Sequence, residues 1–316
     1  MRVVVYGNQR RVGAWEGAHI VDLERAARSA GRGALPADLL GLIETGERGL
    51  ETAARAVEQA LRGGAGPGAV LDREEVELRA PWPGRRIACV GGNFADHLLG
   101  MFRDRPGAGA ATPESITAET RDAGQWGFWK VPAQVLGPGG EIPYPARTEY
   151  LDFEGEVGIV LGRAGKDISA GGYREHVWGV TLLNDGSIRE GMGRPWPMSY
   201  NLGKNFDGST AIGPCILTGD VDPEDLEVTT RVNGEVRQRF SVHDMIFSWG
   251  EVLEHLSRDF TLVPGDIVSG GTGAGTAADR TVRRSDGTRP TELFLHHGDT
   301  IEIASPPIGT LALGVV

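Results

Sequence analysis

Over the first 80 residues, the spacing of apolar positions is first typical of strands and then typical of helices, and a stretch with neither pattern follows. Residues 1–22 contain the short apolar runs RVVVYG and VGAWEGAHIVDL around a polar turn, which predicts strands. Over residues 23–61, apolar positions recur at spacings of three and four, which predicts helices. Residues 63–84 are rich in glycine, proline and charge. We therefore predict a small N-terminal α/β module over residues 1–80, linked to a main domain over residues 81–316.

The main domain is dominated by short apolar runs that are typical of strands. They include IACVGG, GEVGIVLG, VWGVTLLN and the pair of alternating runs in VTTRVNGEVRQRF, which Asn233-Gly234 joins as a predicted hairpin. A helix is predicted in SWGEVLEHLSR, where Ser248 and Glu251 have capping-box spacing. Strands do not alternate with helices, which disfavours a doubly wound parallel sheet. The expected fold class is α+β and predominantly β.

Composition excludes several classes of protein. The 316 residues are 40% hydrophobic and 24% charged, as in globular proteins, and no apolar run is long enough for a transmembrane helix. The formal net charge of −11 argues against nucleic-acid binding, which needs basic patches. The N-terminus turns polar too early for a secretion signal, and Cys89 and Cys215 lie in apolar runs that favour buried thiols. We expect a cytoplasmic protein that is bound to neither membrane nor nucleic acid.

Three carboxylates form the strongest candidate site. Glu154 and Glu156 are two residues apart in a predicted strand, so they should share a face, and Asp185 follows another apolar strand. Carboxylates gathered at one point repel one another and lose hydration. A hard dication, Mg²⁺, Mn²⁺ or Ca²⁺, resolves that conflict through oxygen ligation. From spacing alone, the solvent face of an antiparallel strand explains the two glutamates at least as well.

Five blocks of sequence, taken together, resemble the fumarylacetoacetate hydrolase superfamily. Spread over residues 86–316, they are LDFEGEVGIVLGR, VTLLNDGSIRE, NLGKNFDGSTAIGP, TRVNGEVRQ with HDMIFSWGEVLEHLS, and LVPGDIVSGGTGAG. The resemblance implies a main domain of mixed β-roll or β-sandwich type and a homodimer. It also implies that Glu154, Glu156 and Asp185 bind a divalent metal, and so favours the metal site over an exposed strand face.

His97 lies in the block CVGGNFADH, which is similar to the family's N-Y-x-x-H block with Phe94 in place of tyrosine. The resemblance implies that this histidine transfers protons, a role that suits imidazole because it titrates near neutral pH. Many members carry a glutamate three residues later, where this chain has Gly100. The usual acidic partner of the histidine is therefore missing from its usual place.

A lid is predicted around residues 98–129, where a glycine- and alanine-rich stretch leads into a short helix starting near Thr112-Pro113. Glu114 or Glu119 could supply the missing carboxylate to His97 when this lid closes. The alternative is that both glutamates only favour the helix N-terminus or face solvent.

Four further residues match positions of the family's blocks. The resemblance implies catalytic roles for Arg189 and Lys204, which would balance the carboxylates and pair with anionic groups of the substrate. It implies substrate contacts for Lys130, in GFWKVP, and for Thr272, in SGGTGAG. That glycine run is not a nucleotide site by our interpretation, since no amphipathic helix follows it to hold phosphate.

The resemblance implies an enzyme that acts on a small 2-oxo or 1,3-dioxo acid. The first expectation is hydrolytic cleavage of a carbon–carbon bond through a metal-bound enolate, with His97 activating water. An isomerase, decarboxylase or hydratase on the same site is the alternative, and Gly100 leans slightly towards it. A catalytically retired, metal-binding relative is the third possibility.

Overall fold

The computed structural model describes residues 1–31, 33–104, 108–190, 199–284, 286 and 288–316, and for residues 108, 199 and 200 it describes the backbone alone. Its strands are β1 (Arg2–Tyr6), β2 (Arg11–Glu16), β3 (His19–Asp22), β4 (Val70–Asp72), β5 (Leu78–Arg79), β6 (Ile87–Gly91), β7 (Trp126–Lys130), β8 (Gly140–Ile142), β9 (Leu151–Asp152), β10 (Gly155–Leu161), β11 (Val177–Asp185), β12 (Ser187–Ile188), β13 (Thr210–Leu217), β14 (Glu227–Val232), β15 (Glu235–Ser241), β16 (Ile267–Thr272), β17 (Thr300–Ser305) and β18 (Gly309–Val315).

The α-helices are α1 (Leu23–Ser29), α2 (Leu39–Glu44), α3 (Gly46–Gln59), α4 (Ala95–Phe102), α5 (Pro113–Ala123), α6 (Ser199–Lys204), α7 (Trp249–Ser257) and α8 (Ala277–Arg280). A π-helical turn, Ala60–Gly64, follows α3, and the 3₁₀ segments are Ala108–Ala110, Ala170–His176, Pro223–Asp225 and Val242–Asp244. Within the described residues, no helix has the length and hydropathy that crossing a bilayer requires.

A sheet of eleven strands runs through the described part of the chain. Its order is β4-β3-β2-β1-β13-β11-β10-β16-β6-β7, with β5 paired to β1 outside that path. Neighbours are antiparallel except β6 and β16, which are parallel. The N-terminal strands extend the strands of the main domain, because Arg2 and Val3 pair with Leu217 and Ile216. The strands before and after the predicted boundary near residue 80 therefore belong to one continuous sheet. The division of the chain into two domains stays a prediction.

Two apolar layers cover the faces of this sheet. On one face, a five-stranded sheet, β15-β14-β17-β18-β8, packs through residues such as Val228, Ile301 and Leu311. On the other, the N-terminal helices pack through residues such as Leu42 and Ile43. Strands predominate and helices are segregated from them, which confirms the predicted fold class.

Several local predictions are confirmed. The hairpin of β14 and β15 turns at Asn233 and Gly234, whose φ angles of 50° and 79° are the positive values that a type I′ turn needs. Helix α7 begins with the predicted capping box, in which Ser248 and Glu251 each bond the other's backbone N–H. The helical pattern over residues 23–61 forms α1, α2 and α3.

The segment predicted as a lid, residues 98–129, contains the end of α4, a 3₁₀ turn, helix α5 and most of an edge strand, and its residues 105–107 lie outside the described residues. Helix α5 begins as expected, with Thr112 as N-cap and Pro113 as its first residue. The last part forms β7, the edge strand next to β6. Arg121 fastens α5 to α7 by donating to Glu251 Oε1 at 2.9 Å, and it also bonds the carbonyl of Ile246. The structure thus describes α5 docked on the domain, and its opening as a lid stays a prediction.

Candidate active site

Two of the three predicted carboxylates extend from neighbouring strands. Glu156 lies in β10, and Asp185 is the last residue of β11, its antiparallel neighbour. Glu154 lies in the break between β9 and β10, so the predicted strand alternation does not extend to it. Its carbonyl accepts a hydrogen bond from Asp185 N at 2.9 Å, which keeps it beside that residue. All three side chains are buried, which excludes a solvent-facing strand as their explanation.

Three buried cations lie against these carboxylates. Lys204 Nζ donates to Glu154 Oε2 at 2.5 Å and to Asp185 Oδ2 at 2.7 Å. Lys130 Nζ donates to the other oxygen of Asp185 at 2.6 Å, and Arg189 Nη2 donates to Glu154 Oε1 at 2.7 Å. The structure therefore brings together the cations that the sequence singled out. Each of them binds a predicted metal ligand.

Glu156 is the carboxylate for which the described residues show no ion pair. Its hydrogen-bond donor is the hydroxyl of Ser269. Burial raises the pKa of Glu156 well above its usual range, and the neighbouring Asp185 and Glu154 raise it further. Burial also raises the pKa of Glu154, but the cations Lys204 and Arg189 outweigh that effect and hold this pKa well below its usual range. Without a metal, the raised pKa favours the neutral form of Glu156, and a bound dication would supply the positive charge that its carboxylate lacks.

Cys89 is a site residue that the sequence presented only as a buried thiol. Its sulfur and one oxygen each of Glu156 and Asp185 lie within 4.8 Å of one another. Burial raises the pKa of this thiol well above its usual range, and the same two carboxylates add to the effect. The pairing of Cys89 with Ser269 across β6 and β16 places it there, a long-range contact that the sequence could not reveal.

These donors fit a divalent ion. One carboxyl oxygen of Glu156 and one of Asp185 lie within 4.8 Å of each other. The ammonium group of Lys204 links Glu154 to Asp185, because it donates a hydrogen bond to each of them. Oxygen donors suit Mg²⁺, Mn²⁺ or Ca²⁺. An incoming dication would compete with Lys204 for the oxygens that it now binds. The assignment of these three residues as metal ligands remains a prediction that the donor set supports.

The acidic partner of His97 is Asp279. The ring nitrogen Nδ1 of His97, in the first turn of α4, lies 2.9 Å from Asp279 Oδ2, and the two side chains are 9% and 3% exposed. Asp279 belongs to the short helix α8, and its carboxylate also accepts the backbone N–H of Gly275 at 2.9 Å. Glu114 and Glu119 are exposed in this structure. The position that we predicted for one of them is thus occupied by Asp279.

Gly100 leaves the space that this pairing needs. A Cβ atom at Gly100 would lie 2.5 Å from the Cβ of Asp279 and 2.8 Å from its carbonyl oxygen, distances shorter than any normal contact. A glutamate at position 100, as in many family members, would therefore collide with α8. Position 100 must therefore lack a side chain for Asp279 to reach His97 in this arrangement.

Thr272, predicted to contact substrate, uses its hydroxyl within the protein. It donates to the carbonyl of Gly155 at 2.9 Å and accepts from Gln238 Nε2 at 2.8 Å. Lys130 likewise donates to the carbonyl of Ser209 at 3.0 Å in addition to its ion pair. Both residues support the strands that carry the buried carboxylates, and their contacts with substrate stay predictions.

Comparison with known proteins gives the same picture of the family. The sequence profile described as Fumarylacetoacetate (FAA) hydrolase C-terminal matches residues 86–316. The chain is 34% identical over 300 residues to the oxaloacetate tautomerase YisK of Bacillus subtilis, covering 93% of this chain and 91% of that protein. It is 30% identical over 286 residues to the human mitochondrial oxaloacetate tautomerase FAHD2B, covering 89% and 81%.

Solved structures share the fold over the whole chain. A fumarylacetoacetate hydrolase from psychrophilic Exiguobacterium antarcticum superposes with a TM-score of 0.73 at 29% identity, covering 100% of this chain and 99% of that one. A 2-hydroxyhepta-2,4-diene-1,7-dioate isomerase from Mycobacterium marinum superposes with a TM-score of 0.68 at 26% identity, covering 100% and 98%. Structures with this fold therefore carry more than one named activity.

Replacing Glu156 by glutamine tests the cost of ionising this buried carboxylate without a metal. Because the pKa of Glu156 is raised in the folded state, its ionised form opposes folding, so the metal-free wild type should lose stability as pH rises through that pKa. Glu156→Gln should remove this loss, giving a Tm in EDTA at neutral pH no lower than that of the wild type. Mn²⁺ should raise the Tm of the wild type, and Glu156→Gln should abolish this increase. Calorimetry with and without metal measures both, and Glu58→Gln, an exposed change, is the control. An undiminished Mn²⁺ effect in Glu156→Gln would exclude this residue as a ligand.

Replacing Gly100 by alanine tests the close approach of α8. In a helix without neighbours, glycine to alanine stabilises by about 0.5–1 kcal/mol. Here the added methyl group must displace Asp279, so we expect Gly100→Ala to lower Tm. Gly171→Ala is the control, since its Cβ would meet open space. A Tm for Gly100→Ala equal to or above that of the wild type would show that α8 does not need this glycine.

Proposed function

Since the chain belongs to the fumarylacetoacetate hydrolase family, we propose that it is a divalent-metal-dependent tautomerase that interconverts the keto and enol forms of a small 2-oxo acid of the oxaloacetate class. The observation that carries this proposal is the buried His97–Asp279 pair, a complete proton-transfer unit. Two relatives that match most of this chain are named oxaloacetate tautomerases. Hydrolysis, our first expectation from the sequence, becomes the second candidate, supported by the hydrolase among the similar structures.

Tautomerisation requires one proton to move to or from the carbon next to the oxo group. His97 is suited to this because Asp279 accepts the proton of Nδ1 and so leaves Nε2 free to act as base. The carboxylate also stabilises the imidazolium that forms when Nε2 takes the proton. Tautomerisation needs no attacking water, whereas hydrolysis does. This simpler requirement favours tautomerisation.

The oxygen of the substrate needs positive charge as the enol forms. A divalent ion held by Glu154, Glu156 and Asp185 would act there as a Lewis acid. Lys204 lies against two of these carboxylates, and Arg189 against one, so a substrate carboxylate bound at this centre would meet both cations. These cations would hold the acid group and orient the reacting carbon towards His97.

The site is enclosed by protein. His97 is 7% exposed, and Glu156 and Asp185 are 2% and 1% exposed. Interactions between charges strengthen where water is excluded, which favours formation of a negatively charged enolate intermediate. The homodimer predicted from the sequence stays a proposal. Light scattering at micromolar concentration tests the oligomeric state, and a monomer would contradict the proposal.

Loss of oxaloacetate enol absorbance measures the proposed activity. Wild-type protein with Mg²⁺ or Mn²⁺ should accelerate the decay, and EDTA should remove the acceleration. His97→Ala should lower kcat by about 10²–10⁴-fold, as expected for loss of a general base, and should leave metal affinity unchanged. Asp279→Asn should lower kcat less, because the imidazole remains.

His243→Ala is the matched control, since His243 is exposed and should not affect the rate. Wild-type kcat in His97→Ala would remove this histidine from the mechanism. Failure of the metal-loaded wild type to accelerate the decay would contradict the proposed substrate class.

A further inference from the structure

Asp152 is a fully buried carboxylate with four hydrogen-bond donors. Its Oδ1 accepts the backbone N–H groups of Phe153 at 3.0 Å and Ala277 at 2.9 Å. Its Oδ2 accepts the N–H of Ala278 at 3.0 Å and Nε of Arg189 at 2.8 Å. This one side chain therefore touches both α8 and a cation of the metal site.

Towards α8, Asp152 fixes the helix that carries the partner of His97. Ala277 and Ala278 are the first two residues of α8, and their N–H groups have no partner inside a helix. A helix of four residues has little stability of its own, so external contacts must hold it. Arg289 binds the other end by donating to the carbonyl of Thr281, the C-cap residue, and it also donates to the carbonyl of Ala278 at 2.9 Å. Asp279, one residue further along, is thereby fixed in contact with His97.

Towards the metal site, Asp152 holds one arm of Arg189. The guanidinium donates through Nε to Asp152 and through Nη2 to Glu154. Loss of the charge on Asp152 would leave Arg189 with Glu154 as its carboxylate partner. Arg189 would then bind Glu154 more fully and compete more strongly with a metal ion for that oxygen.

From these contacts we infer that Asp152 is a positioning residue for both halves of the site. It holds the Asp279 carboxylate against His97, and it holds Arg189 against the metal ligand Glu154. The inference deepens the proposed function and rests on it for its catalytic meaning. A residue that served only to stabilise the fold would support neither the imidazole nor the metal ligand specifically. A positioning role therefore predicts that loss of Asp152 changes the tautomer of His97 and the metal affinity, whereas a purely structural role predicts a change in Tm alone.

Asp152→Asn tests this inference. Asparagine has nearly the same shape, but its amide group would place a donor against the donors of α8 or Arg189. In metal-free, ¹⁵N-histidine-labelled protein with a neutral ring, the ¹⁵N shifts of His97 report which nitrogen carries the proton. We expect the wild type to show Nδ1–H and Asp152→Asn to show a mixture of tautomers. Metal affinity by calorimetry and kcat should each fall by about 10–100-fold.

Two further variants separate the effects. Asp279→Asn should change the tautomer of His97 without the loss of metal affinity. Asp266→Asn is the matched control, since Asp266 is equally buried and accepts Arg86 Nε at 3.1 Å and the N–H of Val263 at 2.9 Å outside the site. It should lower Tm and leave both the tautomer and the metal affinity unchanged.

Ala277→Pro provides a test if Asp152→Asn fails to fold. It deletes one N–H that Asp152 accepts, at the first helical position, which tolerates proline, and Thr276 already has the extended backbone that proline requires before it. We expect the same tautomer change in weaker form. Wild-type ¹⁵N shifts in folded Asp152→Asn, or in Ala277→Pro, would overturn the inference. A tautomer change in a protein without activity on oxaloacetate would instead uphold the inference and contradict the proposed substrate.

Discussion

The burial of four carboxylates in one place is the constraint on which this site depends. Asp152, Glu154, Glu156 and Asp185 are each 5% exposed or less, and a buried carboxylate is costly unless it is paired and hydrogen-bonded. The compensating cations come from separate elements: Lys130 from β7, Lys204 from the end of α6, and Arg189 from the residue after β12. Among the described residues, these three cations can balance three ionised carboxylates, and the raised pKa of Glu156 marks it as the fourth, which has no cation of its own. This unbalanced carboxylate is the physical basis for expecting a divalent ion.

The large sheet makes this concentration of charge possible. Strands β10, β11 and β16 lie side by side, so that Glu156, Asp185 and Ser269 meet at one end of a rigid frame with apolar layers on both faces. The histidine and its acid lie on helices beside the frame. Asp152 joins the two parts because it is hydrogen-bonded to α8 and to Arg189 at once. Charge balance and proton transfer are thus built from one connected network.

Local features of this fold could be predicted from the sequence, and contacts between distant segments could not. The turn at Asn233-Gly234 and the cap at Ser248 depend on neighbouring residues, and both are as predicted. The break before β10 was not foreseen, because strand alternation alone gives no reason for Glu154 to leave the strand. Asp279 was missed because the sequence around it reads as a polar turn. From Gly100 we predicted that the usual acidic partner of His97 is missing from its usual place, and the structure shows that this glycine leaves the space that Asp279 occupies.

A buried imidazole–carboxylate pair beside a cluster of buried carboxylates and cations can support either proton transfer alone or attack by water. Tautomerisation leaves every carbon–carbon bond of the substrate intact, whereas hydrolysis and decarboxylation each break one. The most direct measurement is therefore NMR of oxaloacetate in D₂O with the metal-loaded wild-type protein. We predict that deuterium enters at the carbon next to the oxo group faster than in buffer, while oxalate, acetate and pyruvate form only at the uncatalysed rate. Enzyme-dependent release of oxalate and acetate, or of pyruvate, without faster deuterium exchange would contradict proton transfer as the function of this site.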